Sequence, residues 1–190
     1  LDLREVDPAN PMAGWKVDQR WRARAAARDG LVVREGKSAE DWDAYVALYA
    51  KSLTRWGDTA SSRHPEGLFH DLRETLPEGA VKLWLAEHDG RAGAGFITFY
   101  HNRHAALWHG AADEEFFGAG ANQLLYLAMS EDARARGFSW LDLLPSGGHK
   151  GVEAFKARFG SRRLEFDSSL NRTGLVGALA EVRARLRGRP

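Results

Sequence analysis

Residues 81–112, VKLWLAEHDGRAGAGFITFYHNRHAALWHGAA, decide the fold. The run 81–88 alternates apolar and polar side chains, the period of a half-buried strand. Asp89-Gly90 follows it, and this dipeptide suits the two left-handed positions of a tight hairpin turn. Residues 92–101 and 104–112 read as two further strands, so the stretch predicts a three-stranded meander. Gly93 and Gly95 fall inside the second strand, where glycine marks a bulge or a close approach of other atoms to the backbone.

Upstream, residues 15–28, WKVDQRWRARAAAR, are rich in good helix formers, and Gly30 is placed to cap their end. LVVRE at 31–35 is β-branched and apolar and predicts a strand. Ser38-Ala-Glu-Asp41 opens a helix with an N-cap and an acid at the third helical position. That helix runs to about Trp56, with Trp42, Tyr45, Val46, Tyr49 and Leu53 recurring at helical spacing, and Gly57 ends it. Pro65 starts another helix over 65–76, which Pro77 stops. Leu1-Asp2-Leu3 reads as the end of a short strand. Downstream come a helix over 120–136 ended by Gly137, a strand over 138–144, a short helix over 151–159, a strand over 163–170 and an Arg-rich helix over 174–187. This order predicts an α/β fold of the α+β type, a mixed sheet with helices on its faces.

The 190 residues suffice for one domain with its own core. Hydrophobic residues make up 44% and charged residues 28%, the balance of an ordinary globular chain. The absence of cysteine excludes disulfides, thiolate metal sites and a cysteine nucleophile. Neither an apolar run of membrane-spanning length nor a signal-peptide pattern shows in these residues, which sets the expectation of a cytoplasmic protein. The net charge is +1, but residues 16–36 carry six basic and three acidic side chains and residues 156–190 nine and three. Two basic ends around an acidic middle are either solvated helix faces or a patch for phosphate or RNA.

Phosphate-loop, zinc-protease, nucleophile-elbow and dinucleotide motifs are absent. The seven histidines show no ligand spacing, so no metal is expected. His109, beside Trp108 on a strand, reads as a core or hydrogen-bonded histidine rather than a catalyst. Gly118-Ala-Gly120-Ala precedes a helix and would aim N–H groups at a pyrophosphate, as acetyl-coenzyme A enzymes do, or serves a loop that needs small residues. In 147–160, GGHKGVEAFKARFG, Val152, Phe155 and Phe159 share a helix face with Lys156 at its edge. An ammonium there either faces a developing oxyanion or phosphate, or snorkels over Phe159 as a surface lysine.

Several short patterns occur in one order. They are Leu1-Asp-Leu3; Arg20-x-x-Ala-Arg24-Ala-Ala-x-Arg28-x-Gly30-Leu-Val; Tyr45-x-x-Leu48-Tyr49 with Arg55; Leu85-Ala-Glu-x-Asp89-Gly90; Gly110-Ala111; Asp132-Ala133-x-x-x-Gly137; Leu141-Asp142; and Gly151-Val-x-x-Phe155-Lys156-x-x-Phe159-Gly160. The ordered set spans about residues 1–170 and resembles the second domain of the Fem family of peptidoglycan-bridge aminoacyltransferases. Proteins of that family are similar to two tandem acetyltransferase (GNAT) folds and add amino acids from aminoacyl-tRNA to the peptide of a peptidoglycan precursor. The resemblance implies one GNAT-like domain over 1–190 with a largely antiparallel sheet, preceded in the whole protein by a first domain. It implies tRNA and a nucleotide- or lipid-linked precursor peptide as partners, and no covalently bound cofactor. By analogy Lys156, with Phe155, corresponds to the Phe-Lys pair near the reacting carbonyl. Arg20, Arg24, Arg55 and Arg158 become candidates for substrate or tRNA contacts, since guanidinium binds phosphate in a bidentate way. Asp142, near a strand end, is the candidate base. Relatives with the same Phe-Lys-x-x-Phe-Gly ending are acetyltransferase-like domains of polysaccharide or cell-envelope biosynthesis, whose donor would be an acyl-coenzyme A. A non-catalytic RNA-binding or assembly domain is the third reading.

Overall fold

The structure, a computed structural model, describes residues 1–60, 63–147 and 149–165. Five strands form one sheet in the order β1 (Val32–Gly36), β2 (Val81–His88), β3 (Arg91–His101), β4 (His104–Ala112) and β5 (Trp140–Asp142). β1 to β4 pair antiparallel, while β5 runs parallel to β4. The mixed, largely antiparallel sheet is therefore the one the sequence predicts. Asp89 and Gly90 take the two positive φ values of the hairpin turn, 50° and 74°. Asn102 and Arg103 do the same between β3 and β4, at 43° and 67°.

Helices cover both faces. On one lie α1 (Val17–Arg28) and α4 (Ala121–Ala135), over a core that includes Phe96, Tyr100, Leu107, Leu125, Tyr126 and Met129. On the other lie α2 (Ala39–Trp56) and α3 (Glu66–Thr75), which enclose Tyr45, Tyr49, Phe69, Leu83, Leu85 and Ile97. The short α5 (Lys150–Ala157) joins the first core through Phe155, and Phe159 just after it does the same. α2 begins as its sequence demands: Ser38 accepts from the Asp41 N–H, and the Asp41 carboxylate accepts from the Ser38 N–H. The same carboxylate pairs with Arg34 of β1, which also grips Glu87 of β2. Arg34 holds the Asp41 carboxyl down to about 2, well below the usual carboxylate range. No helix among the described residues is long and apolar enough to cross a membrane.

Two bulges shape the sheet. Gly93 is the unpaired residue of β3, where an added Cβ would lie 2.2 Å from the Phe116 ring. Trp108 is the unpaired residue of β4: Thr98 faces Leu107 and Ile97 faces His109. The extra residue inverts the alternation. Before it, Ala105 and Leu107 point to the α4 core; after it, Ala111 points to the α2 core.

α1 lies directly against the start of α4. Ala23 and Ala26 of α1 and Ala121 of α4 are buried together, and the Gln123 amide donates to Gln19 at 2.7 Å across the contact. Gly120, the N-cap of α4, sits at φ +79° with the place of a Cβ only 2.7 Å from the Arg22 carbonyl oxygen.

Some expectations differ from the structure. Leu1–Leu3 lies along β5 but forms only one isolated antiparallel bridge, Asp2 with Trp140, before turning into a short 3-10 helix. The strand expected over 138–144 shortens to three residues because Asp142 and Leu144 turn the chain. Residues 163–165 are not in a strand. The rest of the expected strand 163–170 and the helix 174–187 lie outside the described residues.

Gly120→Ala forces a left-handed alanine and pushes α1 off α4, at a cost of roughly 2–4 kcal/mol. Urea unfolding of the variant should show a correspondingly lower midpoint; an unchanged midpoint would mean that α1 does not depend on this contact.

Candidate active site

β5 pairs with only His104, Ala105 and Ala106 of β4. From Leu107 to Ala112 the outer edge of β4 carries no strand among the described residues. β5 ends at Asp142 while β4 runs on, and the bare edge it leaves is a notch in the sheet. One side is the bulged end of β4. The other is the turn after β5.

That turn is held by two candidate residues. Leu144 takes a left-handed φ of +54°, a strained setting for a leucine. The Asp142 carboxylate accepts from its N–H at 2.8 Å, and the Lys156 ammonium donates to its carbonyl at 2.9 Å. Lys156 also reaches the Pro145 carbonyl at 3.5 Å. Burial lowers the Lys156 pKa, and the Asp142 charge opposes that shift. The structure thus brings Lys156 and Asp142 together at the notch and gives both a role in shaping the turn. Asp142 spends one oxygen on the Leu144 N–H. Phe155 packs its ring on Tyr126 and Phe159, with centroids 6.1 and 5.0 Å away, and so anchors the helix that carries Lys156.

The arginines do not converge. Arg158 pairs with Asp18 of α1, and the Arg158 carbonyl accepts from the Lys16 N–H at 2.8 Å, which ties α5 to the start of α1. Arg20 donates to the Ala13 carbonyl at 3.1 Å. Arg22, Arg24 and Arg28 are exposed on α1 and pair with no acid among the described residues. Trp21, 63% exposed, stands between them. Arg55 lies across the sheet on α2, donating to the Ala112 carbonyl at 3.1 Å, with its guanidinium 4.6 Å from the centre of the Phe117 ring.

In the turn 118–121, Gly118 is exposed and Ala119 half-buried. Gly120 and Ala121 are buried beneath α1.

Two further residues meet here: Tyr45, which the sequence places on a buried helix face, and His109, which it reads as a core or hydrogen-bonded histidine. Tyr45 of α2 is fully buried, and its hydroxyl lies 2.6 Å from Nδ1 of His109. His109 is the first residue beyond the bulge and lies on the stretch of β4 that β5 leaves unpaired. Tyr49, Phe69, Trp108 and His64 surround its ring, with centroids 4.8 to 5.6 Å away. Burial, aided by His64, pushes the His109 pKa from 6.5 down to about 4. The available signal was one histidine at an inward position of an apolar strand. Among the described residues no group of three or more His, Cys, Asp or Glu side chains gathers as a metal ion requires.

A family model described as an acetyltransferase (GNAT) domain matches residues 16–157. No curated protein matches the sequence. FemX is similar in structure, with a TM-score of 0.70 at 14% identity, over 84% of this chain and 57% of its own. This chain therefore spans little more than half the length of FemX. A ribosomal-protein-alanine N-acetyltransferase from Brucella melitensis biovar Abortus has a TM-score of 0.57 at 16% identity, over 76% of this chain and 100% of its own. An aminoglycoside acetyltransferase from an uncultured soil metagenomic sample, in complex with sisomicin, has a TM-score of 0.54 at 12% identity, over 76% and 99%. At such identities the likeness is one of fold.

His109 yields a pH test of the notch. A folded pKa below the unfolded one lends stability that is complete above pH 6.5 and is lost as the pH falls toward about 4. The contribution is of the order of 2 kcal/mol. Between roughly pH 7.5 and 4.5 the urea midpoint of wild type should therefore fall further than that of His109→Gln. Equal falls would show that burial of this ring carries no proton linkage.

Proposed function

The chain belongs to the acetyltransferase (GNAT) domain family, and on that premise we propose that it transfers an aminoacyl group from the ester of a charged tRNA to an amine of a peptidoglycan precursor peptide. An acyltransferase of the GNAT type needs an activated acyl group, a nucleophilic amine and a place where the two meet. The notch between β4 and β5 supplies the place.

The observation that carries the choice of donor is the position of α1. A coenzyme A donor is held through its pyrophosphate, and a helix N-terminus with free N–H groups is the usual cradle for such a group. Here α1 buries Gly120 and Ala121 at the start of α4. The outward face of the same helix carries Arg22, Arg24 and Arg28, free of acidic partners among the described residues, with Trp21 among them. Guanidinium groups around an exposed indole match the phosphates and bases of a nucleic acid. The likeness to the fold of FemX agrees with this reading.

In this reading the amine attacks the ester carbonyl by proximity, without an acyl-enzyme. Lys156 holds positive charge beside the notch and keeps the Leu144 turn in shape. Arg20 and Arg24 take tRNA phosphates. Arg158 positions α5 against α1 through Asp18. Arg55, on the opposite face, is left to the acceptor side.

Three outcomes follow. Charged tRNA should bind with an affinity that falls steeply with salt, and Arg24→Ala with Arg28→Ala should flatten the log–log slope by about one for each arginine removed. Coenzyme A should leave the melting temperature unchanged. Melting raised by coenzyme A, with acetyl transfer from acetyl-coenzyme A and none from tRNA, would sink the donor assignment. Lys156→Ala should lower kcat for aminoacyl transfer by about a hundredfold. A wild-type rate in that variant would reduce Lys156 to a loop clamp.

A further inference from the structure

Tyr45 and His109 are more specific than a packed core requires. A phenol enclosed on every side must place its proton on an acceptor, and Nδ1 of His109 is the acceptor the Tyr45 hydroxyl meets among the described residues, at 2.6 Å. Burial raises the Tyr45 pKa well above its ordinary value of 10, so the hydroxyl keeps its proton and donates it. Nδ1 therefore accepts, and the single N–H of the neutral imidazole is on Nε2. Nε2 makes no hydrogen bond among the described residues and is not among their fully enclosed unpartnered polar atoms, so it remains available as a donor. Burial also keeps the ring uncharged through neutral pH, with a pKa near 4. The result is a fixed neutral donor on the edge of the notch. A general base would need a lone pair there instead.

We propose that His109 is a catalytic residue that donates its Nε2–H to the carbonyl oxygen of the acyl group, with Tyr45 as the positioning residue that fixes the tautomer. The proposal rests on the acyl-transfer reading of the notch. When the acceptor amine attacks, a C–N bond forms and the carbonyl π electrons move onto oxygen. The Nε2–H bond strengthens as that oxygen becomes anionic. On collapse the C=O bond returns and the ester C–O bond breaks. The ribose hydroxyl leaves with the proton the amine gives up. His109 ends with the proton it began with. The ring stands on the α2 and α3 side of the sheet, so the carbonyl presents its oxygen toward that side.

The test joins a spectrum to a rate. Nitrogen-15 NMR of the histidine rings should show His109 as the Nε2–H tautomer at neutral pH in the unliganded protein. The Nδ1–H tautomer would overturn the proposal without any assay. Transfer is measured with total tRNA charged with radiolabelled amino acids and a nucleotide-linked peptidoglycan precursor peptide as acceptor. His109→Leu should lower kcat roughly a hundredfold with KM within about twofold, the pattern of an interaction made only in the transition state. His109→Gln, whose amide N–H reaches a similar place, should recover about a tenth of the wild-type rate. Tyr45→Phe keeps the packing and loses only the hydroxyl. It should mix the two tautomers in the spectrum and lower kcat roughly tenfold. Wild-type kcat in both His109→Leu and Tyr45→Phe removes the assignment while leaving the donor reading intact. If wild type instead uses acetyl-coenzyme A, the donor reading fails and the same variants test His109 on the thioester carbonyl. A wild type that transfers neither group ends both.

Discussion

β4 has two neighbours of opposite sense, and most of the molecule's geometry follows from that. Its pairing with β3 is antiparallel and runs the length of the strand, whereas its pairing with β5 is parallel and covers three residues. A parallel neighbour requires a crossover, and α4 supplies it over one face of the sheet. The parallel partner then ends at Asp142, while β4 continues to Ala112. An unpaired strand edge inside a protein is normally a liability. Here it borders a notch closed from the other side by the turn that Asp142 and Lys156 hold. The bulge at Trp108 falls at the same level and turns His109 toward α2 rather than α4. The notch thus has a strained turn on one side and a neutral, oriented imidazole on the other.

α1 contributes by occupying space. Its inner face is made of Ala23, Ala26 and the Gln19 amide, which allow close approach to Gly120 and Ala121. Larger side chains on either helix would hold the two apart. The contact makes Gly120 and Ala121 part of the core and leaves Arg22, Arg24 and Arg28 on the outer side of α1. Elsewhere charges are mostly paired: Arg34 with Asp41 and Glu87, Lys82 with Asp132 and Glu35, Arg91 with Glu115. Arg22, Arg24 and Arg28 of α1 have no acidic partner among the described residues.

The fold was largely legible because its signals are local. The Asp89-Gly90 turn, the Ser38 to Asp41 cap and the helical spacing of Trp42, Tyr45 and Tyr49 act within a few residues of chain. The glycines of β3 announced a bulge and a close approach, and both occur: Gly93 under Phe116 and Gly95 against Tyr45. The site was less legible because it depends on distant pairs. Nothing in the order of residues says that Tyr45 meets His109, sixty-four positions away, or that α1 caps Gly120. The register of β4 was hidden for a similar reason, since Trp108 differs from its neighbours in pairing and not in chemistry. The arginines looked like a set because they share a side chain, but Arg55 was carried to the other face by the helix on which it lies.

The bulge has one more consequence, for inheritance. Along β4 the face on which a side chain falls is set by counting from the bulge, and not by what the side chain is. Replacing one residue changes one contact. Losing or gaining a single codon between positions 104 and 112 would exchange inside and outside for the remainder of the strand, taking His109 away from Tyr45 and Ala111 out of its core. The strand tolerates a change of spelling better than a change of length.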